Sequence, residues 1–273
     1  MNYQINTMYF SATGTTKTVV DRIAVQIAGK TGRPVKINNY DFTLPAGRKE
    51  TRSFTKEDLL IIGVPVYAGR VPNVLVKYLN TITGHGALAV PVVLFGNRDY
   101  DDALLELKDI LEEHGFTAIA AGAFVGEHSF SKTLGAGRPD EKDMLLVDRF
   151  AQKIYQKLTT PDISSPVEVK GNRPYRKYYA PKDENGEVVK DFRLISPETS
   201  EDCIDCKTCV EVCPMGSIDY EHVSQLNGIC IKCCACIKKC PTQAKQFTDA
   251  RFLHHKHELE AAFGRRTEPE WFV

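Results

Sequence analysis

Eight of the nine cysteines in this 273-residue chain repeat one spacing twice. Cys203, Cys206, Cys209 and Cys213 precede Pro214, and Cys230, Cys233, Cys236 and Cys240 precede Pro241. This C-x-x-C-x-x-C-x-x-x-C-P run suits a [4Fe-4S] cubane: three thiolates at two-residue gaps hold three irons from one tight loop, while the fourth sulfur points away. The proline stops a helix from drawing that fourth sulfur back. Where two such runs share a chain, each lends its last cysteine to the other cluster. The expected sets are therefore Cys203, Cys206, Cys209 and Cys240 for one cluster, and Cys230, Cys233, Cys236 and Cys213 for the second. Structural zinc sites more often present two separated cysteine pairs, and disulfide frameworks belong to small secreted chains. Cys234 is the odd thiol. It matches Lys207 of the first run, so its side chain is expected to point out of the ligand loop as a bystander, with a redox role as the alternative.

The rest of the chain must position that chemistry, and its length allows two domains and a connecting segment. With 35 basic and 35 acidic residues the formal charge is zero, which gives nucleic acid no electrostatic hold. Glu201 to Asp249 hold seven carboxylates against five lysines, so the cluster region is expected to be an acidic body towards which basic partner surfaces are steered. No apolar run reaches membrane-spanning length. Met1 to Phe10 lacks the basic flank of a signal peptide and leads straight into a strand. Reduced thiols in an unexported chain imply the cytoplasm.

The first half alternates strand and helix. Residues 3–10, 35–40, 59–64, 90–95 and 119–125 are strand-like, and 59–64 and 90–95 are apolar enough to be buried on both faces. Helical spacing joins Val19, Val20, Ile23, Ala24 and Ile27; then Val74, Leu75, Tyr78 and Leu79; then Leu104, Leu107, Ile110 and Leu111; and finally Leu145, Phe150, Ala151, Ile154 and Leu158. Five strands alternating with helices predict an α/β, doubly wound parallel sheet whose strand ends share one edge. Three loops leave that edge at 11–16, 65–72 and 96–101, where a ligand sits in such folds. Ser11 to Thr16 is rich in hydroxyls and opens a helix, which suits a phosphate, although a hydroxyl-rich turn is also an ordinary helix cap. Neither the P-loop spacing nor the Gly-x-Gly-x-x-Gly fingerprint is present.

On these loops residues 1–158 resemble a short-chain flavodoxin, a five-stranded sheet in the order 2-1-3-4-5. The resemblance implies FMN, with its phosphate on Ser11, Thr13, Gly14, Thr15 and Thr16. It implies flavin-flanking loops at Pro65, Val66, Tyr67, Ala68 and Gly69 and at Gly96, Asn97, Arg98 and Tyr100, the ring lying between Tyr67 and Tyr100. In flavodoxins a glycine peptide beside flavin N5 flips on reduction. Ala68 stands at the matching position, so the flip is expected to be hindered or moved to Gly69. Arg70 and Arg98 stand where that family is usually acidic, which would favour a negatively charged reduced flavin unless both simply face solvent.

Residues 159–197 carry prolines at 161, 166, 174, 181 and 197 with Tyr175, Tyr178, Tyr179, Phe192 and Leu194. They read as an ordered connector with a hairpin about Asn185-Gly186; a mobile tether is the alternative. Residues 198–248 read as a small α+β ferredoxin domain with two [4Fe-4S] clusters, and 249–273 as a helix and a polar end. His254, His255 and His257 are expected on a solvated helix face, and His128 on a surface loop within reach of the flavin. The whole chain resembles flavodoxin–ferredoxin fusion proteins, which implies a carrier passing single electrons between the clusters, FMN and redox partner proteins. The alternative is a reductase of a quinone, nitro compound or flavin, and a lidded cavity would favour it. No separate acid, base or nucleophile constellation is visible, and whether the cofactors meet within one chain or only in a homodimer is open.

Overall fold

The computed structural model describes residues 3–273 apart from 33, 161, 162 and 164, so the connector proline at 161 lies outside the described residues. The strand and helix patterns become β1 (Gln4–Tyr9), α1 (Thr15–Gly29), β2 (Ile37–Asp41), β3 (Asp58–Pro65), α2 (Asn73–Leu79), β4 (Leu88–Phe95), α3 (Ala103–Glu113), β5 (Thr117–Ala118), β6 (Ala121–Val125) and α4 (Glu141–Lys157). The cysteine-rich part adds β7 (Glu198–Thr199), α5 (Thr208–Glu211), α6 (Ala235–Lys238), β8 (Lys245–Gln246), α7 (Ala250–Ala262) and β9 (Glu270–Phe272).

The main sheet runs β2-β1-β3-β4-β6, all parallel, the doubly wound order expected. Its fifth position is shared: β5 pairs with the start of β4 and β6 with the end. Alternate residues along a strand face opposite sides. Leu60, Ile62 and Val93 therefore pack with Leu75, Leu104 and Leu107 on one side, while Leu59, Ile61 and Val90 pack with Val19, Val147 and Phe150 on the other.

One strand was not foreseen. β9 pairs antiparallel with β6 and continues the sheet with the end of the chain, where only a polar end was expected. Three residues are too few to show alternation, and the pairing depends on Trp271 packing on Phe150, 6.2 Å between ring centroids.

The path from α7 to β9 is held at the sheet edge by side chains. Asn97 Nδ2 donates to the carbonyls of Phe263 (2.6 Å) and Arg265 (2.8 Å), and its Oδ1 accepts from the Thr267 amide at 3.2 Å. Arg138 bonds the Thr267 carbonyl at 2.6 Å and forks onto Asp143. Asp143 is fully buried, accepts a further bond from Arg266 at 3.0 Å and completes the reciprocal cap of α4 with Asp140.

The connector lies along α3 and the 65–72 loop. Asp102 accepts from the amides of Asn172 (2.9 Å) and Arg176 (2.6 Å), Tyr178 donates to the Val71 carbonyl (2.9 Å), and the Tyr179 amide donates to the Ala68 carbonyl (2.9 Å). Its hairpin closes where Lys182 bridges Val188. The antiparallel pair of β7 and β8 brackets the cysteine loops.

Removing the Asp143 carboxylate leaves Arg138 buried and half-partnered, a loss of about 3–5 kcal/mol. Asp143→Ala should lower the denaturant midpoint accordingly, followed by fluorescence of Trp271, the chain's single tryptophan. A loss below about 1 kcal/mol, the range of exposed pairs, would show that water reaches the site.

Candidate functional site

The two cysteine runs fold as near copies. Asp205 and Lys207 in the first, Lys232 and Cys234 in the second, hold left-handed φ values of 52°, 61°, 56° and 58°. A backbone that alternates in this way turns successive N–H groups to one side and makes a concavity for an anionic group. The Lys232 and Ala235 amides accordingly lie against the sulfurs of Cys230 and Cys233. Cys203, Cys206, Cys209 and Cys240 surround one hollow. Cys213, Cys230, Cys233 and Cys236, together with Cys234, border another, walled by Ile218, Leu226 and Phe247. The four cysteines of each expected set thus lie around one hollow, with Cys234 as an additional thiol at the second.

Among the described residues no group of three or more His, Cys, Asp or Glu closes tightly enough to hold a single metal ion. The all-sulfur donors of each ring and the N–H groups turned toward them fit an iron–sulfur cubane in chemistry.

The two rings differ in environment. Cys206 is exposed, and burial of Cys240 is outweighed by N–H groups of Lys245, Thr242 and Ala244 and the Thr242 hydroxyl, which bring its thiol below the ordinary value. In the second ring burial pushes the Cys233 and Cys236 thiols up to about 12. Metal-free, those two thiols stay protonated at neutral pH; a cationic metal core is what would make thiolates of them. Cys234 packs in an apolar cluster with Ile195, Phe247 and Phe252 while also bordering the second hollow. Burial holds it far above the ordinary thiol range, which makes it inert.

The three sheet-edge loops enclose a cleft of two joined compartments. The narrower, about 60 Å³, is lined by Thr13, Thr15 and Thr16 with Pro65, Gly126 and Glu127. Gly14 caps α1 at φ 101°, a conformation that suits glycine, and the amides of Thr15 and Thr16 lie in the first turn, where no helical carbonyl can accept from them. Ser11 takes the Lys17 amide at 3.0 Å and so works as a cap. The wider compartment, about 220 Å³, is lined by Tyr67, Ala68, Gly69, Gly96, Arg98 and His128 from the loops, and by Tyr179, Phe192, Lys232, His255 and Leu259 from elsewhere. Val66, Tyr67, Phe95, Gly96, His128 and Ser129 border both. Hydroxyls and amides at one end, and aromatic walls at the other, suit a phosphate joined to a flat ring.

Several site residues lie elsewhere than expected. Tyr100 turns into the core against Phe95 and donates to Glu270, so it does not face Tyr67 across a ligand; β9 supplies the carboxylate that draws it in. Asn97 is committed to the chain end. Arg70 forks onto Glu106 at 2.7 Å between the rings of Tyr175 and Tyr178, away from the cleft. Arg98 does line it, over Tyr179 and paired with Asp101. Ala68 adopts φ 53° beside Gly69 at 78°, a type I′ turn closed by Tyr67 and Arg70. Its carbonyl is the one held by the Tyr179 amide, so that peptide is tied to the connector.

The histidines reverse expectation too. His128 lies in the cleft, not on an open surface loop, and His255 is buried, stacked on Tyr179 with centroids 5.7 Å apart. Local sequence gave no sign of either, because the aromatic residues that cover them come from distant segments.

The cleft and the second thiol ring share a wall. Cys233 lines both, and the hydroxyl of the partly buried Tyr67 is held well above its usual pKa by desolvation and by Cys233, Cys234 and Cys230 beside it. Residues 154–255 match the family model of the 4Fe-4S dicluster domain. With the sheet order above, that match decides the architecture. The chain joins a flavodoxin-like fold to a 4Fe-4S dicluster domain.

Solved structures similar to the flavodoxin-like half include a flavodoxin from the domain Archaea (16% identity, 57% of this chain and 99% of that one, TM-score 0.40). Flavodoxin 2 from Bacillus cereus gives 17%, 56%, 99% and 0.41, and the apo form of an NADH:FMN oxidoreductase gives 15%, 59%, 93% and 0.41. The comparison with curated proteins returned no match. Among the described residues no helix is long and apolar enough to cross a membrane.

The dicluster domain predicts a sharp contrast between adjacent cysteines. Cys233→Ala should cost roughly half the iron of anaerobically prepared protein, as the loss of one of two like clusters requires, whereas Cys234→Ala should leave iron and sulfide unchanged. Equal iron loss in both would mean that Cys234 is a ligand.

Proposed function

We propose that this chain is an electron-transfer flavo-iron-sulfur protein, with a [4Fe-4S] cluster in each thiol ring and one FMN in the cleft. The observation that carries this reading is the shared wall: Cys233 belongs to the second ring and borders the cleft beside Tyr67. Thr13, Gly14, Thr15 and Thr16 would hold the FMN phosphate by amides and hydroxyls at the positive end of α1. Tyr67, Ala68, Gly69, Gly96 and Arg98 would flank the ring, with Tyr179 closing the side that Tyr100 leaves open. Bound there, the flavin supplies one- and two-electron chemistry and the clusters supply single-electron transfer.

The protein's own part is order and insulation. Around the first ring Ile204 and Tyr220 are 66% and 59% exposed, next to exposed Asp205 and Glu221. A redox partner with a basic rim and an apolar centre fits that surface, and opposite charges raise its rate of encounter. The second ring is buried behind it, and Pro181, Phe192 and Leu259 keep a partner protein from the cleft. Electrons then run from partner to first ring, second ring and cleft, or back. That same cover favours a second reading, in which the reduced cleft hands electrons to a small molecule such as a quinone.

Anaerobic protein should contain about eight irons, eight sulfides and one FMN per chain. Cys206→Ala, which opens the exposed ring, should slow reduction of the flavin by a reduced ferredoxin at least tenfold, equivalent to about 1.4 kcal/mol on the barrier. Flavin reduction that is indifferent to Cys206 would refute this order of transfer. Turnover of a quinone with saturable kinetics, and no exchange with protein partners, would favour the second reading.

A further inference from the structure

His128 is the one imidazole that borders both compartments of the cleft, and its ring is fixed on several sides. Its Nδ1 accepts the backbone N–H of Phe130 at 3.1 Å. The ring stands edge-on to Phe130, with centroids 5.1 Å apart. Its Cδ2 edge lies against Gly96, where a Cβ would come within 2.4 Å of it, so only glycine allows the approach. Among the described residues no hydrogen bond occupies Nε2.

These contacts settle the tautomer. A neutral imidazole carries one proton, and a nitrogen that accepts an N–H cannot carry it. The proton is therefore on Nε2, the nitrogen without a protein partner, on a residue that lines the cleft. Burial, with the positive charges of Lys238, His255 when protonated and Arg98, pushes the His128 pKa down to about 4. The ring is thus neutral at physiological pH and presents a hydrogen bond, not a charge.

On the FMN reading above, we propose that His128 is a fixed hydrogen-bond donor to the flavin, offering its Nε2–H to negative charge that builds on the flavin during reduction. Electrons arrive from the cluster side and any protons taken up come from solvent. The imidazole keeps its own proton throughout, and no bond to it forms or breaks. A donor of this kind binds the reduced flavin more tightly than the oxidised one, because a hydrogen bond strengthens when its acceptor is charged.

The test uses full-length protein with its clusters in place. The dissociation constant of oxidised FMN is measured by fluorescence, and that of reduced FMN follows from the shift of the two-electron potential relative to free FMN. His128→Leu should weaken reduced FMN roughly tenfold to a hundredfold more than oxidised FMN, the worth of one hydrogen bond to a charged group. His128→Gln, whose amide N–H reaches about as far as Nε2, should keep the ratio within roughly threefold of wild type, whereas His128→Asn, which reaches only as far as Nδ1, should behave like leucine. The Gln and Asn pair decides the matter if leucine disturbs folding, as judged by iron content. Variants that all keep the wild-type ratio overturn the role of His128 while leaving FMN in place. Wild-type protein that takes up no FMN overturns the flavin reading and this inference together.

Discussion

The structure turns on one packing contact, the insertion of the second cysteine loop into the carboxyl edge of the parallel sheet. Cys233 and Ala235 belong to the main hydrophobic core, with Val66, Tyr67, Phe95 and Ile231 around them. A small metal-binding module usually has too little apolar surface to fold without its metal. Here part of that module is core for the larger half, and polar ties fix the rest. Lys238 of α6 pairs with Glu127 and bonds the His128 carbonyl at 3.0 Å, Arg48 reaches the Pro214 carbonyl, and Lys132 meets Gln243 at 2.9 Å. The arrangement of the cleft and the two thiol rings is therefore set by contacts within one chain.

That contact creates the difference between two nearly identical cysteine loops. Sequence and backbone give both the same left-handed residues and the same short helix, so the intrinsic chemistry of the rings is alike. Position does the rest. The second ring loses solvent to the sheet edge and to Phe247, while the first keeps Cys206 in water. Burying a charged centre disfavours its more negative state, and N–H donors and nearby cations offset this. Lys232, buried between two ligands with its ammonium on the Arg193 carbonyl at 3.1 Å and over the Phe192 ring, is such a cation.

What could be read from the sequence divides along the range of the forces involved. The dicluster domain was legible because its cysteine runs repeat in spacings of two and three residues. The parallel sheet was legible because β3 and β4 are apolar on both faces and α1 and α3 keep helical periods. Tyr100 was misread because its partner, Glu270, lies on a three-residue strand that has no signal of its own. His255 was misread because the His254–His257 stretch looks polar by composition, while Tyr179, Phe192 and Phe130 that bury it come from other segments. The connector residues Tyr178 and Tyr179 could be flagged as too aromatic for a free linker, but their acceptors, the carbonyl of Val71 and, through the Tyr179 amide, that of Ala68, become visible only in three dimensions.

The same geometry makes one loop a wall of both the cleft and the second thiol ring. Ile231 and Lys232, one wall of the wider compartment, are also the residues between two ligands of the second ring. A loop with alternating left-handed non-glycine residues stores backbone strain, and the packing of Cys233 and Ala235 in the core holds it here. A shift of that loop would therefore alter the ring and the cleft wall together. Where two sites share a wall in this way, any coupling of their binding is reciprocal. Cys233 and Tyr67 stand at the boundary between the two sites, which any electron passing between ring and cleft would have to cross.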